Sequence, residues 1–319
     1  MSELFPVPDA LRDAEYSLVT FVLESTNYFD LSPLDWLRLR REFKQALREL
    51  SLDGDDVLAQ SLKDLLEPPL PDNPHLRRRV QRPSPAVVLR PDLSRSGLIA
   101  PGDRFELSVL FLGRGMTALI PFARLIQQVA QTGLFNGQAV CELVGLEAED
   151  GAGRRTELWS GGELGDNLSP VVNDLYWWLQ RQPFCGESLV LEFITPLRLI
   201  GQGRPLFKAR FGEVFPFILR RVTSMVLAHC PLSDLGYPAQ LTELATRIDE
   251  RENSLHWQDW RPLNRGRGGQ DLGGLRGRLV VSGSDLAELL WVLQLGTLFH
   301  IGKGAAYGSG ACFLHATET

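Results

Sequence analysis

The sequence predicts an α+β fold in which antiparallel sheets carry helices on one face. Apolar residues alternate in several short β-rich segments, and they recur every three or four residues in the segments between them. The two patterns follow each other in a β-α-β-β-α-β order, most clearly in the second half of the chain, and that order is ferredoxin-like. A length of 319 residues suits two such domains.

The first half of the chain fits a looser copy of this order. Its predicted strands span residues 16–25, 104–112, 138–146 and 157–159. Its predicted helices span residues 34–50, 56–66 and 117–131. Ser32 and Pro33 precede the first helix as an N-cap and a first-turn proline. Eight prolines fall within residues 67–103, which predicts a loop insertion with one short strand at 86–89.

The second half follows the order more closely. Its predicted strands span residues 187–194, 255–260, 275–282 and 311–315. Its predicted helices span residues 213–228, 239–250 and 285–298. A glycine-rich and then tryptophan-rich stretch separates the halves. We therefore predict two tandem ferredoxin-like, RRM-like domains, at residues 1–185 and 186–319.

Composition excludes several classes of protein. The 33 basic residues against 39 acidic residues give a formal net charge of −6, which excludes a uniformly basic nucleic-acid binder but permits local basic patches. The four cysteines lack the close spacing of a zinc or redox motif, so we expect buried thiols in a reducing compartment. No apolar run reaches membrane-span length, and the N-terminus lacks secretory-signal features. We expect a cytoplasmic protein without a cofactor, a metal or a membrane partner.

The segment HIGKGAAYGSG, at residues 300–310, is the most informative for function. Its glycines allow positive φ angles, and successive backbone N–H groups in such a loop can bind an anion. The spacing matches neither the P-loop nor the dinucleotide-binding glycine motif. A tightly packed turn without a ligand explains the spacing equally well. The candidate phosphate-binding residues of this segment are Gly302, Lys303, Gly304, Tyr307, Gly308 and Gly310.

Arginine clusters are the second functional pattern. Residues 261–278 contain five arginines and one acid, directly after Trp257 and Trp260, and arginines interleaved with aromatic rings favour RNA binding. The candidate RNA-binding arginines are Arg265, Arg267, Arg276 and Arg278 here, and Arg77, Arg78 and Arg79 in the proline-rich insertion. The first long helix also has a basic face that includes Lys44. In each cluster the arginines can equally be solvated surface residues.

Several motifs together resemble a known family. The motifs TPLRL at 195–199, WQDW at 257–260, LGGLRGRLVVSG at 272–283 and LGTLFHIGKGAAYGSG at 295–310 occur in that order. Together they resemble the C-terminal half of the CRISPR-associated endoribonucleases of the RAMP superfamily, which process precursor crRNA. Upstream, PAVVLRP, APGDRFELSVLFLG and ALIPFARLIQQVAQTGL resemble the N-terminal half of the same family.

The resemblance implies two ferredoxin-like domains, binding of a CRISPR repeat RNA, and metal-independent cleavage in which a 2′-hydroxyl attacks the adjacent phosphate. It also implies that the glycine-rich loop contacts RNA. Many family members place a catalytic histidine near the first helix, whereas the first histidine of this chain is His75. His300, and with less support Lys44 and Tyr28, are therefore the candidate catalytic residues.

Two further hypotheses stay open. The chain can be an inactive homologue that binds crRNA as a subunit of a CRISPR effector complex, and the missing early histidine favours that alternative. The glycine-rich loop can also bind a small anionic ligand. The primary prediction is an endoribonuclease whose partners are repeat RNA or crRNA and other effector subunits.

Overall fold

The computed structural model describes residues 7–52, 56–165, 167–182, 188–260 and 272–316. Two antiparallel sheets dominate it, one built from residues of the first half and one from residues of the second half. Each sheet has helices packed on one face, so the predicted α+β class is confirmed. The predicted domain boundary near residue 185 lies outside the described residues, and we propose that the division falls between the two sheets.

The described residues of the first half form eight strands and seven α-helices. The strands are β1 (Glu15–Ser25), β2 (Phe29–Leu31), β3 (Val87–Pro91), β4 (Gly97–Ile99), β5 (Arg104–Leu112), β6 (Cys141–Glu149), β7 (Arg155–Trp159) and β8 (Asn173–Asp174). The helices are α1 (Pro33–Trp36), α2 (Leu39–Leu52), α3 (Asp56–Leu66), α4 (Pro74–Arg79), α5 (Leu119–Thr132), α6 (Leu134–Gly137) and α7 (Leu175–Gln180). Short 3-10 helices lie at Asp9–Asp13 and Gly113–Ala118.

The second half supplies the remaining elements. The strands are β9 (Ser188–Leu197), β10 (Ile200–Gly201), β11 (Arg204–Pro205), β12 (Asp249–Asn253), β13 (His256–Gln258), β14 (Gly274–Ser282) and β15 (Cys312–Ala316). The helices are α8 (Phe211–His229), α9 (Pro238–Arg247) and α10 (Leu286–Phe299). A 3-10 turn at Ala305–Tyr307 lies inside the glycine-rich loop.

Both sheets have the ferredoxin-like strand order. The first runs β3-β5-β1-β6-β7, and the second runs β12-β14-β9-β15. In each, the first strand of the β-α-β-β-α-β unit lies between the third and the fourth, and every pairing along these orders is antiparallel. The prediction of two tandem ferredoxin-like folds is therefore confirmed.

The structure corrects the expected helix over 34–50. The chain forms the single turn α1 and then α2, with a break at Leu37. Ser32 caps α1 as predicted, because its hydroxyl accepts a hydrogen bond from the backbone of Leu34 while the Asp35 carboxylate accepts one from the backbone of Ser32. The proline-rich insertion also contains α4 and β4, which the sequence pattern did not predict.

The structure also corrects the second strand of the C-terminal sheet. That strand is β12, which the sequence pattern did not predict; it follows α9, the helix expected over 239–250, and the expected strand at 255–260 is the short β13 beside it. The sequence of β12, DEREN, has no apolar alternation because it lies at the sheet edge with its side chains exposed.

The buried apolar side chains form two hydrophobic cores. One core is built within the first half, under α2, α3 and α5, and it also takes in Ala306 and Tyr307 of the glycine-rich loop. The other is built around α8 and α10, and it takes in Tyr16, Val88 and Leu110 of the N-terminal sheet. The two halves are thus joined through shared apolar packing.

The structure tests the predictions about the cysteines and the membrane spans for the described residues. Cys141, Cys230 and Cys312 are buried and free, as expected for core thiols, and Cys185 lies outside the described residues. Within the described ranges, every helix falls short of the length and apolar character needed to cross a bilayer.

Candidate functional site

The glycine-rich loop is a tightly packed connection between α10 and β15. Gly302 and Gly310 have φ angles of +88° and +64°, and an added Cβ would lie 2.6 Å from the Arg198 carbonyl oxygen or 1.8 Å from the Ile301 carbonyl oxygen. These approaches are closer than any side chain tolerates, so the backbone path itself requires glycine at both positions.

Most backbone donors of this loop are already used inside the protein. Lys303 N–H donates to the carbonyl of Arg198 at 2.9 Å, Tyr307 N–H to Gly304 at 2.8 Å, and Gly310 N–H to Pro196 at 3.1 Å. The Thr195 hydroxyl donates to the Gly308 carbonyl at 2.8 Å. Side chains rather than backbone N–H groups therefore supply most of the positive potential around the loop.

The loop docks against the N-terminal domain. Tyr307 is only 6% exposed, the Arg40 guanidinium lies 5.7 Å from its ring centroid, and burial raises the pKa of its hydroxyl to about 12. A Cβ on Gly308 would meet Leu37 at 3.2 Å and Pro91 at 3.5 Å. This docking brings α2 beside the loop, and Tyr307 acts as the buried contact between them.

Two arginines hold the end of α10 that leads into the loop. Arg90, on β3 of the other sheet, donates to the carbonyls of Thr297 and Leu298 at 2.9 and 2.7 Å. Arg221, on α8, donates to the carbonyls of Phe299 and His300 at 3.0 and 3.3 Å. Cations at a helix C-terminus satisfy its last carbonyl groups. Burial lowers the pKa of Arg221 to about 9.

His300 lies directly between this helix end and the loop. Its side chain is 4% exposed, and it has a φ angle of +55°. Burial, together with the charges of Arg90 and Arg221, holds the pKa of its imidazole well below the ordinary value, so the ring is neutral. This environment suits a histidine that supports the loop from inside the protein.

The docked loop and α2 form a cleft of about 620 Å³, which we call the cationic cleft. Five basic side chains and one carboxylate are among its lining residues, which include Arg40, Lys44, Glu67, Arg82, Arg221 and Lys303. Lys44 forms an ion pair with Glu67, and this pairing lowers the pKa of the Glu67 carboxyl. The lining is thus strongly positive on a chain that is acidic overall.

A smaller cavity of about 250 Å³ shares Arg40, Lys303 and Tyr307 with the cationic cleft. Arg198, Leu272 and Gly273 form its other side. Basic side chains from α2, from the end of β9 and from the loop therefore surround one continuous region, and that region can bind a chain of phosphates.

The remaining predicted site residues lie elsewhere. Tyr28 is 68% exposed in the turn before β2, and it is not among the residues lining either cavity. Arg276 lies beside the Trp260 ring at 5.6 Å, and Arg278 forms a two-bond ion pair with Glu252 at 2.9 and 3.2 Å. Arg265 and Arg267 lie outside the described residues.

The triple arginine forms the last turn of α4. Arg77 donates to the carbonyl of Pro71 at 2.6 Å, Arg79 pairs with Asp234, and Arg78 is exposed. Residues 81–85, which follow shortly after α4, line the cationic cleft, and Arg82 is the basic residue among them. The arginines 77–79 thus lie on the segment that leads to the cleft wall.

Sequence reasoning did not single out Arg40, Arg82, Arg198 and Arg221. Arg40 belonged to a basic helix face, Arg82 to the proline-rich insertion, Arg198 to the motif TPLRL and Arg221 to a predicted helix. Each therefore carried a signal too weak to separate it from its neighbours. Only the contact between the loop and α2 shows that Arg40 and Lys303 share a cavity.

Comparison with known proteins follows the same division of the chain. A family model described as CRISPR-associated endoribonuclease Cas6 matches residues 191–312, and a model described as an N-terminal domain matches residues 38–171. Over residues 191–312 the chain is similar to the Cas6 endoribonucleases. The resemblance inferred from the motifs is thereby confirmed. No curated protein sequence matches the chain.

Solved structures show the same fold. A partial Cas6-RT-Cas1–Cas2 complex contains a chain with a TM-score of 0.58 at 15% identity; the match covers 98% of this chain and 47% of that chain. This protein therefore spans about half the length of that relative. Cas6 from Thermus thermophilus matches with a TM-score of 0.51 at 17% identity, over 95% of this chain and 99% of that chain. A Cas6 product complex matches with a TM-score of 0.52 at 17% identity, over 94% and 99% of the two chains.

Proposed function

We propose that this chain binds CRISPR repeat RNA and cleaves precursor crRNA without a metal ion. The convergence of basic side chains from both halves of the chain on the cationic cleft carries this proposal. A phosphate backbone needs clustered cations, and basic charge located in one cleft of an acidic molecule directs RNA there. The family match to an endoribonuclease supports the same conclusion.

The proposed reaction is an in-line attack within the RNA. A 2′-hydroxyl loses its proton and its oxygen bonds to the adjacent phosphorus, while the bond to the 5′ oxygen breaks and that oxygen gains a proton. The products are a 2′,3′-cyclic phosphate and a 5′-hydroxyl. Lys44, Lys303 and Arg40 would surround the phosphate and stabilise the charge that develops on it.

The candidate catalytic residues have different roles in this proposal. Lys44 lines the cleft and is 40% exposed, so it can contact the scissile phosphate. His300 supports the loop that carries Lys303 and acts as a positioning residue. Tyr28 would contact RNA only where a bound strand extends past the cleft.

One observation favours a second candidate function. No histidine is among the described lining residues of the cationic cleft, and His229 and His300 are both buried. A site without an accessible imidazole lacks the commonest general acid and base. The second candidate is therefore a chain that binds crRNA without cleaving it.

Other CRISPR proteins are proposed as partners in either case. A structurally similar chain belongs to a Cas6-RT-Cas1–Cas2 complex. We infer that this chain also works beside further CRISPR subunits, with crRNA as the shared ligand.

One experiment distinguishes the nuclease from the binder. The purified protein is incubated in EDTA with the repeat RNA of its own CRISPR array. Cleavage that leaves a 2′,3′-cyclic phosphate supports the nuclease and rejects the binder. Tight binding without product supports the binder, and absence of binding at low salt rejects both.

A further inference from the structure

A pair of aromatic rings, one exposed and one half-buried, adjoins the smaller cavity. Phe207, in the segment after β11, is 59% exposed, and its ring centroid lies 4.5 Å from that of Trp257 on β13. A single exposed ring is ordinary, whereas adjacent apolar side chains on a surface can mark a ligand site. We call Phe207 and Trp257 the aromatic platform.

The platform is held rigidly from below. An added Cβ on Gly273 would lie 2.8 Å from the Trp257 ring, so the indole packs directly on the backbone there. Arg198 donates to the Gly273 carbonyl at 3.3 Å and places its guanidinium 5.8 Å from the Trp257 ring centroid. A ring fixed in this way loses little conformational entropy when a ligand stacks on it.

Arg198 and Gly273, which support the platform, also connect it to the basic residues of the smaller cavity. Arg198 and Gly273 line the smaller cavity together with Lys303 and Arg40. A ligand that spans both features needs a planar ring for the platform and a phosphate for the cavity. An unpaired nucleotide has both, because every base presents a π-face next to its phosphate.

We propose that the aromatic platform stacks an unpaired base of the RNA whose phosphates occupy the cavity. This inference rests on the proposed RNA-binding function and assigns it a single-stranded subsite on Phe207 and Trp257. Stacking tolerates any base, so the subsite recognises lack of pairing rather than sequence.

The test compares two strands with equal charge. Oligoadenylate RNA and an abasic ribose-phosphate strand of the same length are titrated against wild type, Phe207→Ala and Phe313→Ala. Phe313 is an exposed ring on β15, so its removal is the matched control. We expect wild type and Phe313→Ala to prefer oligoadenylate by about tenfold, and Phe207→Ala to lose that preference.

A second readout detects stacking directly. Fluorescence of 2-aminopurine within the oligoadenylate should be quenched on wild type and restored on Phe207→Ala. If wild type binds the two strands with equal affinity, the proposed stacking on the aromatic platform is wrong, whether or not the protein binds repeat RNA. If the platform binds a protein partner instead of a base, wild type will likewise bind the two strands with equal affinity. A third outcome separates the subsite from the proposed function. If wild type shows no base preference but Lys303→Glu loses binding to repeat RNA, the stacking subsite is rejected and the proposed function stands.

Discussion

Glu67 opposes the electrostatics of the cationic cleft. Its carboxylate pairs with Lys44, one of the cations proposed to contact phosphate. RNA must displace this carboxylate before it can use the full charge of Lys44. The value of a partly exposed ion pair is small, at most about 1 kcal/mol, so the competition is weak but measurable.

We expect Glu67→Gln to increase the affinity for repeat RNA by about two- to fivefold, because it releases Lys44 and removes a repulsive charge. Equilibrium binding at low salt measures the change. Glu243→Gln is the matched control, since Glu243 pairs with Arg247 on the exposed surface of α9. A decrease in affinity for Glu67→Gln would show that the RNA does not approach Lys44.

Two buried histidines make stability depend on pH. Burial lowers the pKa of His229 to about 3, and the pKa of His300 is also lowered, so both rings are neutral in the folded chain. Below about pH 6.5 the unfolded chain protonates these histidines while the folded chain does not. The unfolded state then binds more protons, and stability is lost as the pH falls.

We therefore expect the free energy of unfolding to decrease between about pH 6.5 and the depressed folded-state pKa values. His229→Gln should flatten this dependence by at most about 1.4 kcal/mol per pH unit, as measured by urea unfolding. The exposed His256 gives the control variant His256→Gln. An unchanged slope in His229→Gln would mean that this ring is protonated in the folded state.

At the scale of the element, the glycine-rich loop is specified by backbone contact. Gly310→Ala places a Cβ against the Ile301 carbonyl at a positive φ, and we expect a loss of roughly 2–5 kcal/mol in unfolding free energy. Gly203 also has a positive φ, +78°, but has open space around it, so Gly203→Ala should cost only about 1–2 kcal/mol. Thermal or urea unfolding compares the two, and equal losses would contradict the packing argument.

The elements that sequence could predict are those with an apolar repeat. β5 and α3 have the predicted bounds because each alternates or repeats apolar residues against a core. The edge strand β12 and the helix α4 bury little, so no periodicity marks them. Local pattern likewise identified the glycine-rich loop, but it could not show that the loop's N–H groups are used internally.

At the scale of the whole molecule, the site depends on how the two halves meet. The sequence predicted a basic loop and a basic helix face separately, and Tyr307 and Leu37 bring them together through long-range packing that no local pattern encodes. Carboxylates also lie on the N-terminal sheet, where Glu106 and Glu147 share Arg155. Carboxylates repel RNA, so their position away from the cationic cleft favours entry at the cleft.

Two double variants of equal charge test this account most directly. Arg40→Glu with Lys303→Glu reverses the two sides of the cleft. Arg104→Glu with Arg154→Glu reverses two exposed arginines, one on β5 and one in the turn between β6 and β7. Each pair lowers the formal net charge from −6 to −10. In equilibrium binding of repeat RNA in EDTA, we expect the cleft pair to lose more than about a hundredfold in affinity, and the sheet pair to stay within about threefold of wild type. Equal losses in the two pairs would contradict the account, because net charge rather than the cleft would then determine binding.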